Sequence, residues 1–265
     1  MKKAILFRFY KEPEICINRL ELLKKYNPKI DIFGLYWWPQ KDSSLYRKKI
    51  GKYLKSFHTS PYKNSERKWK NWDLVIAERY KKKGKKLVRD SVYIIQRDML
   101  ILAPLKEIFH NLQKNQVYIP WTRILDKNIE RKWRRTSKKD EKPNYEKFKE
   151  LIKKNYWYTK KVLCSLPTFS IFPREFLERY ISLKDNITWF LEYKMPTYAQ
   201  IFWLKLYQKD TWMWWFQTKG ECPQNAKGRE ITKKYIFKEL WKKKWRRMFH
   251  PYFRIRKCDE INHQK

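Results

Sequence analysis

One carboxylate in this sequence stands where chemistry is plausible on physical grounds. Asp98 closes the string Gln96-Arg97-Asp98, directly after the apolar run Ser91-Val92-Tyr93-Ile94-Ile95. An acid at the exit of a buried strand can hold a divalent cation through oxygen, and that cation neutralises a diphosphate. The same position equally suits a carboxylate that caps the next turn. Other signatures are missing. There is no GxxxxGK[ST], GxGxxG or GxSxG, so neither a P-loop nor a dinucleotide fingerprint nor a serine nucleophile elbow is supported. His58, His110, His250 and His263 have no metal-binding spacing among themselves. Cys16, Cys164, Cys222 and Cys258 are scattered without a CxxC pair, which argues against structural zinc and for a reducing, cytoplasmic compartment.

The elements that must position Asp98 are legible as an alternation of apolar runs and amphipathic segments. Residues 4–10 read as a buried strand, and Glu12-Pro13-Glu14 opens a helix with Ile17, Leu20 and Leu23 on its inner face. Residues 30–36 form a second strand and 91–96 a third, with helices expected at 45–54 and 72–80. This βαβ rhythm predicts an α/β fold with a mostly parallel central sheet and helices on both faces. Ligands of such sheets bind outside the carboxyl ends of the strands, here Phe9-Tyr10, Tyr36-Trp37 and Gln96-Arg97-Asp98. Further on, 131–142 reads as a mobile basic loop, 145–155 as a helix and 162–171 as extended chain. Pro173 opens a helix over 173–183, Met195-Pro196 leads into another through Gln200, and 231–247 is a basic helix. No repeat or linker divides the chain.

Composition bounds the function classes. The chain has 265 residues, 42% hydrophobic and 18% aromatic, enough to bury a sizeable core, which excludes simple disorder. Lys and Arg number 64 against 27 Asp and Glu, a formal net charge of +37. The start MKKAILFRFYK carries Arg8 inside its apolar run and no cleavage site, so a secretory signal fails, and no stretch has the length of a membrane span.

Two counts are odd together: 14 Trp and only 5 Gly. Trp37-Trp38 ends an apolar run where a strand should turn, Trp121 follows Ile119-Pro120, and Trp212 sits near Trp214-Trp215, places that suit glycine. Two readings stand: a genuinely tryptophan-rich protein, or one in which many of these positions are glycine in the organism through a UGA codon read as glycine. Arg97 is the arginine most open to the same kind of misassignment.

The strings AILFRFYKEPEICINRLELLKKYNPKIDIFGLYWW, DSVYIIQRDMLIL, SIFPREFLERY, EYKMPTYAQIF and RRMFHPYF resemble bacterial nucleotide-diphospho-sugar glycosyltransferases of the GT-A type, glycosyltransferase family 2-like, across most of the chain. The resemblance implies a single GT-A-like, Rossmann-like domain. Residues 1–120 would bind the nucleotide sugar, 121–230 would form the acceptor side, and 231–265 would be a basic helix and tail. It places the donor against the Phe7 to Tyr10 strand end with the Tyr36-Trp37-Trp38 turn beside it, and so against Phe9, Tyr10, Tyr36, Gln96, Arg97 and Asp98. It matches the family's DxD-like element, which binds a metal with the sugar nucleotide, to Gln96-Arg97-Asp98. The first acid of that element is Gln96 here, so one carboxylate is left to hold a divalent cation, Mn or Mg.

Two later residues complete the expectation. Glu192 is the acid placed to act as general base on an acceptor hydroxyl, as inverting transfer needs; a surface ion pair with Lys194 or a neighbour is the competing reading. His250 resembles a late histidine that returns to the metal in some GT-A enzymes, against a purely structural histidine beside Pro251. The cations at 242–247, interleaved with Trp245, suit an anionic membrane that carries lipid-linked acceptors, with the protein peripheral at its inner face. They suit nucleic-acid phosphates as well. A glycosyltransferase with a nucleotide-diphosphate sugar donor and a saccharide or lipid-linked acceptor therefore leads. A basic nucleic-acid-binding protein and a degenerate transferase remain as alternatives.

Overall fold

Nearly continuous apolar runs along the early strands dictate a sheet buried on both faces, and the computed structural model shows it. It describes residues 2–37, 42–61, 70–85, 89–183, 189–207, 223–224, 230–242 and 247–255. Trp38, Trp212, Trp214, Trp215 and the basic run at 243–246 lie outside the described residues.

The parallel strands come first: β1 (Lys3–Phe9), β2 (Asp31–Tyr36), β3 (Ser56–Thr59) and β4 (Ser91–Gln96). Short strands follow: β5 (Leu100–Ile101), β6 (Gln116–Val117), β7 (Arg123–Ile124) and β8 (Leu163–Cys164). Then come β9 (Phe169–Pro173), β10 (Lys205–Leu206) and β11 (Met248–Phe249). The central sheet has the order β3-β2-β1-β4-β9, with β9 antiparallel on β4 and the other pairings parallel. Its register sets Phe9 beside Tyr36 and Arg8 beside Gln96, so the three strand ends expected to meet do meet. The small ladders β5–β11, β6–β10 and β7–β8 fasten the later chain to this frame.

Strand pleating sorts the core into two layers. Ala4 and Leu6 of β1 pack with Phe33, Leu35 and Ile94 against the helices Trp72–Arg79, Lys142–Tyr156, Arg174–Ile181 and Leu191–Ile201. Ile5, Phe7 and Phe9 pack with Ile32, Tyr36, Tyr93 and Ile95 against the helices Pro13–Tyr26 and Ser43–Ile50. A third cluster joins Leu22, Leu102, Ile236, Phe249 and Tyr252 at the far end of the chain.

Three expectations are corrected. The 131–142 stretch is helical, in the helices Lys127–Lys132 and Arg134–Ser137. Asp126 caps the first by accepting from the Asn128 and Ile129 amides, both at 2.9 Å, and Ile129 and Trp133, four residues apart among charges, are buried. The helix expected from Met195 begins at Leu191 and carries Pro196 inside it. The basic C-terminal helix spans only Lys233–Leu240, and the chain then enters β11.

Among the described residues four non-glycine residues have positive φ, and three of them are tryptophans: Trp121 at 59°, Trp157 at 51° and Trp203 at 59°. Trp157 closes the Lys142–Tyr156 helix in the left-handed conformation, and Trp203 follows the exit of the Leu191–Ile201 helix. Helix exits of this kind favour glycine, and both indoles stand in solvent, 85% and 83% exposed. Trp133 behaves oppositely, buried edge-on to Tyr193 at 6.3 Å. The backbone thus treats some tryptophans as glycines and packs others as aromatic core.

Candidate functional site

Because β1, β2 and β4 run in one direction, their carboxyl ends open at one edge of the sheet. There a cavity of ≈ 210 Å³ is lined by Arg8 of β1 and Tyr10 just past its end, by Trp37 just past β2, and by Gln96 of β4 with Arg97 and Asp98 directly after it. Trp72, the 166–168 turn, Leu191 and Glu192 complete the wall.

Asp98 sits between Arg97 and His250. Its Oδ1 is 3.6 Å from His250 Nε2. Burial alone would push its carboxyl up, but His250 and Arg97 outweigh burial and hold it at about 2, so it is ionised at neutral pH. With the Gln96 amide turned so that its nitrogen donates to Asp98 Oδ1 at 3.3 Å, its oxygen accepts from Arg8 Nη1 at 3.3 Å. Arg97 is buried, ion-paired with Glu12, and its guanidinium lies 4.8 Å from the Tyr10 ring and 5.5 Å from the Phe253 ring. Asp98 and His250 fit as two ligands of a divalent cation, oxygen plus imidazole nitrogen. Among the described residues no group of three His, Cys, Asp or Glu forms a complete site.

Glu192 reaches the cavity from the first turn of the Leu191–Ile201 helix, and Pro196 explains how. Proline has no N–H, so the carbonyl four residues earlier, that of Glu192, is left without its helical donor. The Ser165 amide takes its place at 2.8 Å and the Ser165 hydroxyl adds a second bond at 3.2 Å. Glu192 is thereby tied to the strand that leads into the 166–168 wall. Burial pushes the Glu192 carboxyl up to about 8, with Arg135 opposing. Lys194 is not its partner: that side chain is fully buried and pairs with Asp73 at 2.5 Å, to which the Tyr180 hydroxyl also donates at 2.5 Å.

Not every expected residue arrives. Tyr10, Gln96, Arg97, Asp98 and Glu192 line the cavity, and His250 stands beside Asp98. Phe9 and Tyr36 do not line it; their rings lie 5.7 Å apart in the core on the opposite side of the sheet. The sequence reading missed Trp72 and the 166–168 turn, and it covered Arg8 only as part of the 7–10 strand end without singling it out. For Arg8 the signal was present, as a cation in the alternation Ala4, Leu6, Arg8 along a strand otherwise apolar on that face.

No family profile and no curated protein matches the sequence. Solved structures do resemble it. One is a cytidylyltransferase from Leptospira borgpetersenii serovar Hardjo-bovis, 14% identical, with a TM-score of 0.45 over 80% of this chain and 76% of that one. Another is the bifunctional glycosyltransferase WbbM in its apo form, 11% identical, with a TM-score of 0.43 over 95% of this chain and 46% of that one. A third is core-mannan synthase A (CmsA/Ktr4) from Aspergillus fumigatus in its Mn/GDP form, 11% identical, with a TM-score of 0.43 over 79% of this chain and 73% of that one. What the cavity does is read from its own residues. Among the described residues no helix is long and apolar enough to cross a membrane.

Proposed function

We propose that this chain is a glycosyltransferase of GT-A type, moving a sugar from a nucleoside diphosphate to a saccharide or lipid-linked acceptor. One observation carries the reading: an ionised acid just past β4, the cations Arg8 of β1 and Arg97 beside that acid, and a proton-holding acid from a distant helix share one cavity at the strand ends.

In this reading the donor's diphosphate lies against the Arg8, Gln96 and Arg97 side, where fixed cations stabilise the charge that develops on the leaving group. Glu192, once deprotonated, takes the proton of the acceptor hydroxyl. The acceptor oxygen then bonds to the anomeric carbon as the bond from that carbon to the diphosphate oxygen breaks, the electron pair leaving with the nucleoside diphosphate. A divalent cation held by Asp98 and His250 would add charge neutralisation at the phosphates. Peripheral contact with an anionic membrane through residues 242–247 belongs to the same proposal, since lipid-linked acceptors reside there.

The test is release of nucleoside diphosphate from uridine-, guanosine- and thymidine-diphosphate sugars by the wild-type protein and by Asp98→Asn. The reading expects release from one donor class, abolished in Asp98→Asn while circular dichroism stays unchanged. Equal release by the variant contradicts it.

A further inference from the structure

Arg8 is the most unusual side chain in the cavity wall. It is 1% exposed, yet its Nε and Nη2 have no hydrogen-bond partner among the described residues. Its guanidinium is stacked 3.8 Å from the Trp72 ring, with the Trp37 ring at 5.1 Å, which fixes the plane of the charged fork. The third nitrogen, Nη1, meets the neutral Gln96 amide. Both nearby acids are committed elsewhere: Asp98 to His250 and the Gln96 amide, Asp73 to Lys194 and Tyr180. A buried cation whose donors are unmet is costly to keep unless something else meets them.

We propose that Arg8 is the fixed cation that receives a phosphate in this cavity, and that its hold on the phosphate does not depend on a divalent metal. The fork geometry of a guanidinium matches two oxygens of a tetrahedral phosphate, and two unmet N–H groups on a rigid, stacked plane are the donors that such a ligand needs. At ≈ 210 Å³ the cavity is smaller than the roughly 300–1,000 Å³ of whole-ligand pockets, so its enclosed part suits the phosphoryl groups of a larger molecule. The neutral residue at 96 acquires a reason. An acid there, 3.3 Å from Arg8, would supply the counter-charge internally and compete with the ligand; glutamine orients the guanidinium and leaves its charge available. The inference deepens the transferase reading by naming what holds the donor's diphosphate, and it can fail separately from it.

The experiment is calorimetric titration of inorganic pyrophosphate at physiological salt with excess chelator, into wild type, Arg8→Met, Arg8→Lys and Gln96→Glu. Wild type is expected to show a one-to-one site that weakens roughly ten- to a hundred-fold in Arg8→Met, with Arg8→Lys intermediate. Gln96→Glu also weakens it, although that change restores the acid of a two-carboxylate metal motif. Removing an unmatched buried cation does not lower the melting temperature of Arg8→Met, and if that variant fails to fold, the lysine and glutamate variants decide. Pyrophosphate binding that needs manganese, or that is unchanged in the variants, overturns the Arg8 assignment while leaving the transferase reading standing. Pyrophosphate bound through Arg8 with no nucleoside diphosphate bound at all supports the assignment and removes the reading.

Discussion

The two faces of β1 are built from neighbouring residues and have opposite duties. On one face Ile5, Phe7 and Phe9 end in a sealed aromatic cluster, with Phe9 in ring contact with Tyr36, Tyr46 and Phe57 at 5.7, 5.9 and 5.5 Å. On the other, Ala4 and Leu6 continue the core, but the next residue on that face is Arg8, and the packing gives way to a polar cavity. A strand end therefore serves stability and chemistry at once, one residue apart. The helices that cover the faces differ in the same way. The Arg8 face carries the fully buried Lys194–Asp73 ion pair two residues from Glu192, whereas the Phe9 face is closed by apolar residues of the Pro13–Tyr26 helix such as Cys16, Leu20 and Leu23. If this division is correct, substitutions on the two faces separate activity from stability.

The largest effect is expected on the Arg8 face. Glu192→Gln should lower transfer by about 10²–10⁴-fold, the usual contribution of a positioned general base, in steady-state assays. The carboxyl must be ionised to act, so the wild-type rate should rise with pH through about 8 and the residual rate of the variant should not. The stability linkage has a definite sign. The folded protein holds on Glu192 a proton that the unfolded chain releases near 4.5, so this group makes the fold less stable as pH rises from there through about 8. Denaturant titrations of Glu192→Gln should lack that contribution.

On the opposite face Phe9→Ala should cost ~3–5 kcal/mol in chemical denaturation, as emptying an aromatic core site does. Below its melting temperature its affinity for nucleoside diphosphate should match wild type. Selective loss of affinity without loss of stability would place Phe9 in the site and break the comparison.

The smallest effects concern the helix exits. Replacing Trp157 or Trp203 by glycine should stabilise the protein by about 1 kcal/mol each, because a left-handed backbone strains any residue with a Cβ. Thermal melts check this, and peptide mass spectrometry of native protein shows which residue the organism places there.

What the sequence revealed follows from which physical signal was local. β1, β2 and β4 were legible because apolar runs such as Val92–Ile95 specify buried strands, and their parallel order placed the strand ends together. Which face each end residue takes was not legible in the same way. Phe9 and Tyr36 are aromatic and terminal, as ligand-contacting residues often are, but the pleat turns them into the core and turns Arg8 toward the cavity. The 131–142 stretch hid its helices because only Ile129 and Trp133 mark the inner side amid cations. Pro196 obscured the start of the Leu191–Ile201 helix, since its effect depends on Ser165, distant in sequence, supplying the missing donor.

The central claim is that this cavity binds a nucleoside diphosphate through residues brought together from β1 and β4. Calorimetry with uridine, guanosine and thymidine diphosphates, with and without manganese, tests it most directly in wild type and Asp98→Asn. The account predicts saturable binding of one of the three to wild type, weakened in Asp98→Asn. No binding of any nucleotide, together with salt-sensitive binding of single-stranded nucleic acid, would contradict it and mark the chain as a basic nucleic-acid-binding protein.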